Sequence, residues 1–303
     1  MMNYLPLDIL KNIASYLVQS KIKLLDFIQL DQIDYMVLTH NTGAMRYIYE
    51  NYEEFKYILS WSTISGIENE YAIKLLEEHQ EHIDWSILSY NKCAIKLLQN
   101  NIDKIQFIAL CENKCNEAMI ILEQNMSKID FSNLSSNPTE LAIKILRNNI
   151  SKINLQWLSV NSSDEIADLF ELHKDLIFWP YMNENTSNTA IKLLRENPNQ
   201  IEWYILSTNK SMEAMKLLEE NIDRIYWYNL SQNPFAIQIL EKHMDKICWE
   251  TLSYNPNAIH ILSQNIDNIN WHNISYNPSI FEIDIKKYNQ DINDYIYSNF
   301  YHS

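Results

Sequence analysis

Apolar residues along this chain recur in two short patterns that alternate from end to end. The first is seen in Ala214-Met215-Lys216-Leu217-Leu218, with apolar residues at places zero, one, three and four. That spacing puts them on one face of an α-helix and leaves places two, five and six outside. The second runs Ile-Asp-Trp-x-x-Leu-Ser, as in Ile83 to Ser89. Ile and Trp two apart cannot share a helix face. The Ile is therefore read as the residue before the helix, with the Asp or Asn as its cap and the Leu at the fourth helical position, the pair that forms a hydrophobic staple (Ile83 with Leu88, Ile225 with Leu230). The predicted second helix is short, about one and a half to two turns. Neither helix is stable alone, because isolated helices below roughly 12–15 residues are marginal in water.

The two patterns form one repeat. Counting from place zero at Ala72, Ala94, Ala118, Ala142, Ile166, Ala190, Ala214, Ala236 and Ala258, the steps are 22 or 24 residues. Place eleven is Ile in all nine units, from Ile83 to Ile269. Place thirteen is Trp, Phe or Leu (Trp85, Phe107, Phe131, Leu155, Trp179, Trp203, Trp227, Trp249, Trp271), and place nineteen is Asn from Asn91 to Asn277. The closing Asn is a natural N-cap for the next helix, and Pro follows it at Asn233-Pro234 and Asn255-Pro256. Place seven is always Asn or His (His79, Asn101, Asn125, Asn149, His173, Asn197, Asn221, His243, Asn265). Both tolerate the left-handed conformation that Gly usually supplies at a helix end, so that conformation is expected there.

The fold expected is all-α, an α-solenoid of short helix pairs with 22–24 residues per repeat, each stabilised by its neighbours. Residues 1–20 read as an N-terminal capping helix, 21–279 as the array and 280–303 as a C-terminal capping segment, all in one continuous domain. Two degenerate units (Ile22 to Asn41, and Ala44 through an insertion to Trp61 and Asn69) precede the nine regular ones, which begin near residue 69. The place-thirteen aromatics are expected to form the core between units, so Trp227→Ala is expected to cost roughly 3–5 kcal/mol.

The pattern Leu-Ser-x-Asn-Pro-x-Ala-Ile-x-Leu-Leu…Ile-x-Trp, read at Leu252 to Leu262 and Ile269 to Trp271, resembles the tandem-repeat proteins of mimivirus-type giant DNA viruses over about residues 20–280. The resemblance implies a viral repeat protein and little about activity, that family being largely uncharacterised. Residues Tyr4 to Leu17 are similar to the opening helix of an F-box, with Leu5, Pro6 and Ile9 in the matching pattern. This second resemblance implies an adaptor that grips a Skp1-like protein of a host ubiquitin ligase. An F-box, however, needs about 40 residues and residues 22–41 already read as a repeat, so a capping helix is the competing reading.

Composition narrows the function. Gly occurs only at Gly43 and Gly66, which excludes the glycine-rich phosphate loops of nucleotide enzymes. A net charge of −15 argues against a phosphate-backbone binder. No run approaches 18 apolar residues, and no basic lead with an apolar core opens the chain, so neither a membrane span nor a signal peptide is expected. Cys93, Cys111, Cys115 and Cys248 show no CxxC pairing and read as reduced thiols in an intracellular setting, host cytoplasm or virion.

No catalytic or metal residues are assigned and no cofactor is expected. His79 and His82 have helical spacing, yet His79 fills the helix-ending place and no HExxH order exists. Cys111 and Cys115 are four apart, but Cys111 replaces the Ser of Leu-Ser. No two carboxylates are forced together. Candidate binding residues stand where units differ: places twelve, fourteen and fifteen carry Trp157, Phe178, Tyr181, Tyr204, Tyr226 and Tyr228, aromatics of the kind that make interface hot spots. Tyr254 and Tyr276 are weaker candidates. The place-two lysines (Lys74, Lys96, Lys144, Lys192, Lys216) read as a solvated face. The function expected is a non-enzymatic scaffold for protein–protein interaction, with the ubiquitin-ligase adaptor as the alternative.

Overall fold

The computed structural model describes residues 20–172 and 174–298, together with Lys11 and Ala14. Among the described residues the chain is all-α apart from two three-residue strands, β1 (Ile22–Leu24) and β2 (Phe281–Ile283). A typical unit has a first helix (Met212–Glu219), a 3-10 turn (Ile222–Arg224) and a second helix (Trp227–Ser231). In the first helix the apolar stripe buries Ala214, Met215, Leu217 and Leu218. The Ile before the second helix is buried in seven of the nine regular units and half-buried at Ile129 and Ile153, and the Leu at its fourth position is fully buried in Leu88, Leu134, Leu158, Leu206, Leu230 and Leu252. Asp84, Asp130, Asn154 and Asn270 cap the second helix through their side chains.

Length variation between units follows from capping. In units 22 residues long the place-nineteen Asn caps a 3-10 turn that runs into the first helix, as Asn233 caps Pro234–Ala236 before Ile237–Lys242. In units of 24 the chain stays extended for two more residues and a second cap follows: Thr139, Ser187 and Ser211 accept from Ala142, Ala190 and Ala214.

Helix ends depart from expectation. No described residue has a positive φ. The place-seven residues instead sit near φ −130°, ψ 50°. Their Asn side chains donate to the carbonyl four residues earlier, as Asn101 to Leu97, Asn125 to Ile121 and Asn221 to Leu217. The amide group closes the helix by hydrogen bonding, so no left-handed residue is needed. The place-thirteen aromatics also differ from expectation. They are half-buried against the core rather than enclosed by it. The outer faces of Trp85, Phe107 and Phe131 are covered by the ammonium groups of Lys104, Lys128 and Lys152 from the following unit, 4.2–4.6 Å from the ring centres.

Two buried polar ladders lock unit to unit. The place-nineteen Asn sends both amide hydrogens to carbonyls of the preceding unit, as Asn161 to Ser135 and Asn137 at 2.9 and 2.8 Å, and its oxygen accepts from its own chain two residues on. Both N–H donors and the oxygen of that buried amide are thereby engaged. The place-seventeen Ser donates to the carbonyl four residues back and accepts the first N–H of the next second helix, as Ser231 does with Trp227 and Cys248.

The row of units closes on itself. Asn41 donates to the carbonyls of Ser275 and Asn277, and Asp34 N–H donates to Ser275 Oγ. These are the bonds that the regular junctions make, now joining the first unit to the last. The closing unit is split: its opening comes from Pro278–Ile280 near the C-terminus and its second helix, Tyr35–Leu38, from near the N-terminus. Where other units have a first helix, this one has β1 and β2 paired antiparallel, Leu24 opposite Phe281 and Ile22 opposite Ile283. The sequence suggests an open rod with a cap at either end; the ends instead meet through strand pairing. The helix Ile285–Ile296 follows, with Ala14 buried against Ile292 and Ile296.

The junction between the first two units is the irregular one. Ile67 occupies the ladder place and a four-residue helix, Tyr52–Phe55, is inserted. Phe55 is fully buried there, Tyr49 donates to Glu78, and Asn69 donates to Thr42 in partial replacement of the missing ladder bond.

Candidate functional site

Stacking turns one side of each second helix outward: its cap at place twelve, its second residue at fourteen and place eighteen just before the ladder, with place fifteen at the edge of that side, open at Trp157 but buried at Ala109, Thr251 and Asn273. Because the register never slips, these positions align from unit to unit. The candidate aromatics all lie here. Trp157 stacks on Tyr181 of the next unit, with ring centres 5.4 Å apart and planes at 30°. Phe178 meets Tyr181 edge-on at 4.7 Å. Tyr204 meets Tyr226 edge-on at 6.1 Å. Tyr226 and Tyr228 are 55 and 56 % exposed, and Tyr181 is half-buried between its two neighbours. The six residues form two clusters of contacting rings, with Tyr228 beside the second, rather than one unbroken stack.

Polar contacts run through the same face. Asn229 donates to the Tyr204 carbonyl, Thr251 to that of Tyr228, and Asn273 to that of Glu250. Tyr254 and Tyr276 pack at 5.5 Å, and Tyr254 donates to Asn273. The face continues across the closure, where Tyr276 lies against His40 and His272 bonds Asp34 at 3.1 Å.

Electrostatics on this face are acidic. The Glu202 carboxylate, with lesser contributions from burial and Glu184, holds the Tyr204 phenol above its ordinary value. Burial raises the Glu112 carboxyl. The backbone N–H of Val37, more than the His272 contact, holds Asp34 low. A surface cavity of about 340 Å³ opens among Glu184, Thr186, Tyr204, Thr208, Lys210 and Asn229.

Other groups singled out by sequence have structural partners. His82 stacks on Trp61 with centres 4.8 Å apart, and His79 stacks on Tyr52. Cys111 is buried in the place-seventeen row, while Cys115 donates to Glu117. No group of three metal-ligating side chains occurs among the described residues. Of the place-two lysines, Lys216 pairs with Glu213, Lys192 with Glu196, and Lys74 lies over Tyr71 near Glu70. Leu5, Pro6 and Ile9 lie outside the described residues. No helix among the described residues is long and apolar enough to cross a membrane.

Sequence reading missed the two ladders. Ser at place seventeen, replaced only by Cys111 and Asn183, and Asn at place nineteen of all nine regular units are recurrent polar residues inside an apolar repeat, a pattern that signals buried, satisfied hydrogen bonds. No known protein family, curated protein or solved structure matches the chain.

Proposed function

We propose that this chain is a non-catalytic scaffold that docks another protein on the outward face of its second helices. The observation that carries this is the pair of ring clusters, Trp157 with Phe178 and Tyr181 and Tyr204 with Tyr226, which touch within and across units while Trp157, Tyr204 and Tyr226 stay open to solvent. The fold does not need them. Ladder Asn, buried Leu and staple Ile hold each unit, and elsewhere the same outward places carry small or polar residues: Asp84 or Asp130 at twelve, Ser86 or Ser132 at fourteen, Asn133 or Asn229 at fifteen. Rings of this size supply contact area at little entropic cost, which is why they dominate interface energetics. The setting in this reading is intracellular, host cytoplasm or virion of a giant virus, as the repeat's resemblance implies.

The test is affinity capture from the producing cell with the intact chain as bait, beside a Trp157→Ser/Tyr204→Ser/Tyr226→Ser variant of equal melting temperature. Partners held by the first and lost from the second support the reading. An identical set on both removes it.

The adaptor reading rests on the Leu5-Pro6…Ile9 pattern. Burial of Ala14 against Ile292 and Ile296 favours a covering role for that segment instead. Binding to a Skp1-like protein that vanishes on Leu5→Ser/Pro6→Ser would restore the adaptor, and its absence discards it.

A further inference from the structure

We infer that the segment docking on this face is rich in lysine or arginine and lies along the row of second helices. This rests on the docking reading above and names its chemistry. The four outward places of all eleven units, from Asp34 to Tyr276, contain no lysine and no arginine, although the chain has 24 of them. They do contain carboxylates. Asp34, Asp84, Asp130 and Glu202 stand at the caps, with Glu112, Glu184 and Glu250 on the helices or beside the ladder. Basic residues cluster elsewhere, on the first helices and the 3-10 turns, where they pair with acids (Lys216 with Glu213, Arg195 with Glu220).

The face thus combines two groups that attract cations. Carboxylates do so by charge, and aromatic rings do so through the negative potential of their faces. No lysine or arginine stands at these places to compete for them; the basic neighbours are His272, which bonds Asp34, and Lys114, which acts on Glu112 from beyond the ladder. Elsewhere the chain already makes the contact we assign to the partner: Lys104, Lys128 and Lys152 sit over Trp85, Phe107 and Phe131. Among the described residues, no lysine or arginine covers Trp157, Tyr204 or Tyr226 in this way. The cavity between Glu184 and Tyr204, at about 340 Å³, has room for a long basic side chain. Lys210 borders it from beyond Asn209, outside the face itself. A net charge of −15 adds long-range attraction for a basic chain and repels acidic ones.

The experiment is a fluorescence-anisotropy titration of the full chain with a labelled arginine–glycine repeat peptide, beside a glutamate–glycine peptide of equal length. The arginine peptide is expected to bind and the glutamate peptide not to. Glu184→Lys/Glu202→Lys should weaken binding about tenfold or more, as reversing charges at a contact does. Tyr204→Ser/Tyr226→Ser should weaken it at unchanged net charge. Glu77→Lys/Glu123→Lys, equal in charge but on the first helices, should change it less than about twofold. Equal losses for the two charge-reversed variants, or no binding of the arginine peptide, would overturn the inference. The docking reading would survive alone if natural partners are lost from the aromatic variant but kept by Glu184→Lys/Glu202→Lys.

Discussion

Asn41 donates its side-chain amide to the carbonyl of Asn277 at 2.9 Å, across 236 residues of chain. The same amide reaches Ser275, and its oxygen accepts from Gly43. Successive ladder residues make this set of bonds at every regular junction, so the first unit is the next unit after the last. A repeat array is ordinarily stabilised by neighbours and weakest at its ends. Joining the ends through a split unit gives the terminal units a neighbour on each side.

Replacing Asn41 with Ala therefore takes the side-chain donor from the buried Ser275 carbonyl, leaves the Asn277 carbonyl only the long 3.4 Å bond from the Ile280 N–H, and removes the acceptor of the Gly43 N–H. The expected cost is about 2–4 kcal/mol, since each unsatisfied group costs roughly 1–3 and the site relaxes in part. Asn161→Ala, in mid-array, should cost a similar amount. Only Asn41→Ala should also speed amide hydrogen exchange in β1 and β2. Equal protection of the strands in both variants would mean that closure does not depend on this link.

Gly43 provides a second, steric test. A Cβ on Gly43 would stand 2.1 Å from the Pro278 carbonyl oxygen and 2.8 Å from its Cα. Corresponding places in other units carry Cys93, Thr139, Ser187 or Phe235, so the close approach is peculiar to the closure. Gly43→Ala must push the first unit off the last. Gly66→Ala meets only the flexible Ile87 side chain, at 3.1 Å. Gly43→Ala should lower the melting temperature and expose the strand pair, while Gly66→Ala should do little. A Gly43→Ala protein with parental melting and exchange would refute the tight seam.

Much of this architecture was legible because one repeat writes it nine times. Ala at place zero, Ile at eleven and Leu at sixteen recur in register, and they are buried in nearly every unit, Ile129 and Ile153 being half-buried. What was not legible arises between segments distant in sequence. Nothing near Asn41 says that its carbonyl partners lie at Ser275 and Asn277, because the pairing is set by how many units complete the circuit. The Asn at place seven was read through its backbone tolerance, yet its side chain does the work by capping a carbonyl. On the candidate face, the aromatics were visible as variable positions. The absence of Lys and Arg appears only once the structure tells which four places share a surface.

Cys111 links the ladder to pH. It stands where eight other units have Ser, and burial pushes its thiol up to about 11. A thiol raised in the folded state and near 8.5–9 in the unfolded chain adds no penalty below that range. As pH climbs toward 11 the unfolded chain ionises first, and stability falls. Cys111→Ser should remove this part of the alkaline loss and supply the hydroxyl used at the other junctions. The measurement is urea unfolding of both proteins at pH 7 and pH 10. A gap that does not widen in favour of Cys111→Ser at the higher pH would contradict the assignment.

The place-thirteen aromatics and the place-sixteen leucines divide the stacking energy unequally. Leu230 is fully enclosed, whereas Trp227 is half-buried, with His243 against its ring at 5.4 Å. Truncating an enclosed Leu removes its burial energy and leaves a cavity that packed neighbours cannot fill, about 2–5 kcal/mol. Truncating a half-exposed indole forfeits only the buried half, about 2 kcal/mol, because water fills the open side. Leu230→Ala should thus melt below Trp227→Ala, the reverse of what ring size alone suggests. Trp227→Leu should cost still less, about 1 kcal/mol, because Leu155 already serves that place in another unit. If Trp227→Ala proves the more damaging change, the indole is holding the junction from its solvent side, and the buried leucines are filling rather than fastening it.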